Sequence, residues 1–124
     1  MISRRKLGAI ASSELMARIK ASKQVTREFR FTFEANASEF IPDAPDEKLL
    51  VQGAIDCVFE EDGKCVVVDY KTDRIADEAA VARKTEYYAP QLELYARALR
   101  EITGKEVSEC ILYFLDADRE VKVM

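Results

Sequence analysis

Apolar residues recur along this chain at two spacings, and the spacing changes mark its elements. TREFRFTFEA (26–35) alternates, with Phe29, Phe31 and Phe33 on one face, which predicts a half-buried strand. LLVQGAIDCVFE and KCVVVDYK predict two more strands around Asp62-Gly63, and VSECILYFLDAD with REVKVM predicts a closing strand pair. Helical spacing appears first over residues 12–22, where Leu15, Met16 and Ile19 form an apolar stripe behind a Ser12 or Ser13 cap. Residues 36–48, with Pro42 and Pro45, read as a loop. Residues 77–84 predict a short helix. A second helix follows over 87–102, with Pro90 in its first turn, a core stripe of Leu92, Ala96, Leu99 and Ile102, and Gly104 as its C-terminal cap. The order α-β-β-β-α-β-β predicts one α/β or α+β domain, a mixed central sheet flanked by helices.

At 124 residues the chain is long enough for a single core, and 48% apolar with 34% charged residues is ordinary for a folded domain. No apolar run approaches the ~20 residues of a membrane span, and MISRRKLGAIASS lacks the apolar segment of a secretory signal. Cys57, Cys65 and Cys110 are odd in number, unclustered and at no zinc spacing, which predicts buried thiols in a reducing, cytoplasmic setting. There is no histidine. That removes Ser-His and Cys-His catalysis and leaves only oxygen ligands for a hard metal. The net charge of −4 argues mildly against nucleic acid as partner. A local basic rim drawn from Arg4, Arg5, Lys6, Lys71, Arg74, Arg83, Lys84, Arg97 and Arg100 is compatible with that total, and so is plain solvated surface. No G-x-x-x-x-G-K-[ST] loop is present, so no ATP site is expected.

Candidate chemistry lies in the hairpin. Asp-Gly between alternating runs favours a two-residue type I′ turn. With Asp62 and Gly63 as that turn, Glu61 opposes Lys64, Phe59 opposes Val66, and Asp56 falls across from Asp69. Alternation puts Lys71 on the face of Asp69, across from Ala54, and leaves Ile55, Cys57, Phe59, Val66, Val68 and Tyr70 as a core face. The same alternation sends Cys57 and Cys65 to opposite sides, which argues against a disulfide. Directly opposed strand residues have Cβ atoms only ~4.5–5.5 Å apart, so two carboxylates there repel. A retained proton, neutralisation by Lys71, or a bridging Mg²⁺ or Mn²⁺ would each relieve the repulsion. Two exposed edge aspartates with a surface ion pair would account for the pattern too. In YYAPQLELYARAL, Gln91 and Tyr95 share a helical face with Tyr88 one turn earlier. They read either as core or as groups that orient a phosphate, a water or a metal-bound carboxylate.

Gly53-Ala54-Ile55-Asp56, then Asp69-Tyr70-Lys71-Thr72-Asp73, then Tyr88-x-x-Gln91-x-x-x-Tyr95 resembles the RecB-family nuclease domain of the PD-(D/E)XK superfamily. The likeness is strongest to the C-terminal nuclease domain of AddA-type helicase/nuclease subunits. It runs from about Thr26 to Phe114, with residues 27–31 and 111–115 similar to the family's flanking strands. The resemblance implies a restriction-endonuclease-like fold and Mg²⁺-dependent DNA cleavage in double-strand-break repair and recombination. Asp56, Asp69 and the Tyr70 main-chain carbonyl would hold the metal, Lys71 would be catalytic, and Gln91, Tyr95 and Tyr88 would be accessory. It further implies that residues 1–124 are one nuclease domain, a C-terminal part of a larger helicase/nuclease chain with an AddB-like partner subunit. The family's metal site commonly includes an upstream histidine, absent here, with Glu14 or Glu28 as the available acids. The competing expectation is a non-catalytic module that grips a partner subunit or DNA. A CRISPR-associated nuclease with an iron–sulfur cluster does not fit the three scattered cysteines.

Overall fold

The computed structural model describes residues 14–124. Helix α1 (Glu14–Ala21) leads into β1 (Val25–Asn36), a short 3₁₀ turn (Ala37–Glu39), β2 (Lys48–Glu61), β3 (Lys64–Lys71), α2 (Glu78–Thr103), β4 (Val107–Phe114) and β5 (Arg119–Lys122). The five strands form one sheet in sequence order. Every neighbouring pair is antiparallel except β3 with β4, which are parallel. Parallel neighbours need a crossover, and α2 supplies it. Ser12 and Ser13, read as caps for α1, lie outside the described residues.

Each face of the sheet carries its own core. Beneath α2 lie Phe31, Phe33, Ile55, Val67 and Leu112 with Leu92, Tyr95, Ala96 and Leu99 of the helix. Beneath α1 lie Cys57, Phe59, Val66, Val68, Ile111 and Tyr113 with Leu15 and Ile19. Strand β3 is therefore covered on both sides, and its unbroken Val66-Val67-Val68 run follows from that. Cys57 and Cys65 fall in different cores, as the hairpin alternation predicts, and all three cysteines are free and buried. The Asp62-Gly63 turn has φ of 53° and 78°, the left-handed pair that a type I′ turn requires. No helix among the described residues is long and apolar enough to cross a membrane.

Two helical expectations are corrected. The segments 77–84 and 87–102 are one helix, capped at Asp77, whose carboxylate accepts the Ala80 N–H, and closed by Gly104 at φ 74°. Pro90 sits in the helix interior rather than its first turn. An interior proline forfeits one backbone hydrogen bond and crowds the preceding carbonyl, at ~3 kcal/mol. Here Pro90 and Glu86, whose carbonyl it frees, are both exposed, so water can satisfy the orphaned oxygen. Packing of Val81 before it and Leu92 after it carries the helix through. Ile102, expected in the core stripe, falls instead in the last turn, where the chain leaves for β4, and is 47% exposed.

Helix α1 is tied to the sheet by Arg18, whose guanidinium donates to Glu61 at 2.7 Å and also pairs with Glu109, over the Phe59 ring. Arg18 holds both carboxyls below the usual glutamate range. Groups with depressed folded pKa values stabilise above their unfolded pKa and lose that contribution as pH falls through the folded value. Arg18→Ala should thus cost ~1 kcal/mol at pH 7, and the cost should shrink below pH 4. Thermal melts of both proteins at the two pH values check this.

Candidate active site

The site is set by a local distortion of β1 and β2. Their register is continuous from Val25↔Phe59 to Asn36↔Lys48, yet Glu28 and Asp56, which face each other in it, do not pair. Glu28 has φ 52°, a left-handed conformation that a strand residue rarely adopts. Across this point Ile55 packs into the α2 core and Cys57 into the α1 core. The alternation expected to place Ile55 with Cys57 is therefore wrong, because the strand turns over at Asp56. Such irregularities re-aim side chains. Pairing of β2 with β3 runs in the expected register from Glu61↔Lys64 to Cys57↔Val68 and stops there. One residue further, Asp56 Oδ2 accepts the Tyr70 backbone N–H at 2.8 Å in place of a ladder bond. In an extended strand the N–H and C=O of one residue point to the same edge, so the Tyr70 carbonyl faces this side as well.

Asp69 follows Val67 on the α2 face and is the single buried charged residue named among the described ones, 4% exposed. Lys71 Nζ lies 2.7 Å from Asp69 Oδ2, donates to Gln91 Oε1 at 2.8 Å and sits 4.1 Å from the Tyr88 ring centroid. The approach to Oδ2 is ionic but off the hydrogen-bonding direction, and that buried oxygen has no aligned donor. The Asp56 carboxyl lies close enough to Asp69 for its charge to disfavour ionisation there. Burial pushes the Asp69 carboxyl up to about 6; Lys71 opposes that rise and Asp56 adds to it. Tyr95 is buried, its ring edge-on to Phe31 at 5.7 Å. Burial, then the charges of Asp69 and Asp56, push its hydroxyl up to about 12, so it stays a proton donor at neutral pH.

The expected residues thus come together with altered duties. Gln91 fixes the lysine rather than facing outward. Tyr88 presents its ring to Lys71 and donates its hydroxyl to both Asp73 oxygens, at 3.1 and 2.9 Å. Asp73 also meets Lys84 Nζ at 3.2 Å, a role that the motif around it does not assign. The i,i+4 spacing of Lys84 and Tyr88 is the sequence signal for such a shared partner. Neither acid considered as a histidine replacement joins the cluster. Glu28 lies opposite Asp56 but engages Arg30, and Glu14, on α1, lies near Glu120. Arg97 of the expected basic rim is occupied by Glu39 and Glu101, while Arg74, Arg83 and Arg100 are exposed.

Gly53 explains the start of the first motif. A Cβ there would stand 2.6 Å from the tip of the Phe31 ring, which Phe33 and Tyr95 hold in place. Gly53→Val should cost ~1–3 kcal/mol by overpacking, read as a drop in the denaturation midpoint; Ala54→Val, on an exposed neighbour, should cost far less.

Comparison with known proteins assigns the class first. The family model described as the PD-(D/E)XK nuclease superfamily matches residues 3–123. The chain belongs to that superfamily. It is similar to proteins named as ATP-dependent helicase/nuclease subunits: 42% identical over 125 residues to that of Carboxydothermus hydrogenoformans, 43% over 117 to that of Alkaliphilus oremlandii, and 40% over 112 to that of Clostridium kluyveri. These alignments cover 99%, 90% and 86% of this chain but only 11%, 9% and 9% of the relatives, so the chain spans about a tenth of their length. The crystal structure of SSO0001 shares the fold, with a TM-score of 0.55 over 94% of this chain and 48% of that one at 20% identity.

Nucleases of this superfamily generally use divalent metals. The residues present suit one. Asp69 Oδ2 is buried without an aligned donor, the Asp56 charge acts on the same carboxyl, and hard oxygen donors match hard cations. No group of three or more acidic or thiol side chains that could hold a metal converges among the described residues.

Proposed function

We propose that this chain is the nuclease portion of a larger helicase/nuclease protein and hydrolyses DNA phosphodiesters with Mg²⁺, Mn²⁺ serving in its place. Repair and recombination of DNA breaks are the proposed setting, the cytoplasm the place, and an AddB-like protein the partner. The relatives' names and the small share of their length that the chain spans support this. One observation carries the catalytic part: the buried Asp69 oxygen without an aligned donor, with Lys71 Nζ at 2.7 Å and the Asp56 charge acting on the same carboxyl.

Asp56, Asp69 and the Tyr70 carbonyl would hold the metal, which when bound supplies a Lewis acid that draws charge from the phosphate. In the hydrolysis a water oxygen forms the new bond to phosphorus as the bond to the leaving oxygen breaks; the attacking water releases a proton to solvent and the leaving oxygen takes one up. Lys71, held by Asp69, Gln91 and the Tyr88 ring, presents a fixed ammonium that offsets the charge accumulating on the phosphate or positions that water. The full-length protein should degrade DNA with Mg²⁺ and stop when EDTA is added. Gel assays on linear duplex and single-stranded DNA decide it. DNA binding without metal-dependent cleavage would instead favour a non-catalytic gripping module, the reading that the lack of histidine in this sequence keeps open.

A further inference from the structure

The stretch of α2 that faces Lys71 is its longest run without a buried residue. No residue from 82 to 91 is buried, although Ala80 and Val81 before it and Leu92 after it are. Within this stretch Tyr87 is 74% exposed, more than any other large apolar side chain among the described residues. At that exposure Tyr87 adds little to the packing of the described residues. Its ring is nonetheless held, edge-on to Tyr88 at 5.0 Å with 76° between planes. Tyr88 is the same ring that lies over Lys71 Nζ. Tyr87 is thus an oriented aromatic face one ring away from the lysine.

Helical periodicity of about 100° per residue decides what surrounds it. Arg83 at i−4, Lys84 at i−3 and Gln91 at i+4 share the Tyr87 face, whereas Glu86 points about 100° away. The cations lie on the N-terminal side of the ring, and Gln91, which fixes Lys71, lies on the other. Lys84 is partly engaged by Asp73, and Arg83 is exposed. A flat ring flanked by a cation and leading to a phosphate-processing group is the arrangement that receives unpaired nucleobases by stacking. Every base offers a π-face, and the backbone beside it is neutralised.

We propose that Tyr87 is a stacking platform for an unpaired nucleobase next to the phosphate that Lys71 addresses, with Arg83 contacting the adjoining backbone. The site takes an unpaired base of a DNA strand and reads no sequence. This rests on the nuclease reading above, and it adds a binding residue that neither the acids nor the lysine supplies. Duplex DNA, whose bases are already stacked on each other, gains nothing from the platform.

The test uses a background that binds but does not cut. In the full-length Asp69→Asn protein without divalent metal, affinity for a short oligothymidylate should fall roughly tenfold on Tyr87→Ala, and affinity for a duplex of equal length should change less than twofold. Ile102→Ser, on an exposed residue at the far end of the same helix, should change neither. These 124 residues contain no tryptophan, so the difference in fluorescence between the full-length Tyr87→Trp protein and its parent reports on this position. That variant should retain affinity, and its fluorescence should be quenched by the oligothymidylate, less so when the central nucleotides are abasic. Equal affinity of Tyr87→Ala and its parent, or an unquenched indole in a Tyr87→Trp protein that binds the strand, overturns the platform. If the wild-type protein still degrades DNA with Mg²⁺ in that case, the nuclease reading stands and only the stacking role falls. If the parent binds no DNA and the wild type cuts none, both fall.

Discussion

Asp69→Asn should abolish DNA cleavage by the full-length protein and at the same time stabilise the metal-free protein at neutral pH. The loss follows from removing the charged oxygen that two other groups of the site converge on. The gain follows from burial. With a folded pKa raised to about 6 from 3.8, Asp69 contributes its full stability below the unfolded value and loses it as pH rises through the folded one. At pH 7 the native state therefore carries a buried charge that destabilises it by up to ~3 kcal/mol. That pKa already includes the pull of Lys71, so the asparagine, which carries no charge, should recover up to that amount. Thermal melts of the metal-free proteins should show the variant ahead at pH 7 and the two alike near pH 4. Mg²⁺ should raise the melting temperature of the wild type and leave the variant unmoved, since a ligand stabilises only the state that binds it. A wild type more stable than Asp69→Asn in EDTA at pH 7 would contradict the strained-acid account.

Lys71→Met should lower the cleavage rate by roughly 10²–10³-fold, the usual loss for a charge aimed at a developing anion, while leaving the metal site occupied. Lys71 is also the group that pulls the Asp69 carboxyl down against its burial. Its removal lets that carboxyl rise, so residual activity and Mn²⁺ affinity in the variant should shift to higher pH. Lys71→Arg should not rescue. Three groups at 2.7, 2.8 and 4.1 Å converge on one nitrogen, and a planar five-donor guanidinium cannot occupy that point in the same way. Rates measured across pH 6–9 with saturating Mn²⁺ separate the two effects.

Local chemistry made much of this legible in advance. Asp62-Gly63 specified the turn, the turn specified the β2/β3 register as far as Cys57↔Val68, and that register brought Asp56 toward Asp69 with Lys71 on the same face. Gly104 marked the end of α2 for the same reason, a left-handed residue that costs glycine little. What was not legible depended on neighbours distant in sequence. The left-handed Glu28 turns β2 over at Asp56, and no pattern in residues 49–60 announces a distortion shared with another strand. Pro90 obeyed the local rule for helix starts less than it obeyed the packing of Val81 and Leu92 on either side. Gln91 could be placed on the correct face, but its partner, the lysine rather than a phosphate or water, follows from how α2 crosses β3.

The proposed catalysis requires Asp56 and Asp69 to share one divalent cation. Isothermal titration of Mn²⁺ into the metal-free full-length protein, with Asp56→Asn and Asp69→Asn beside it, tests that directly. A saturable site in the wild type that each substitution removes is the predicted result; a site unaffected by both substitutions, or no saturable binding at all, would contradict it.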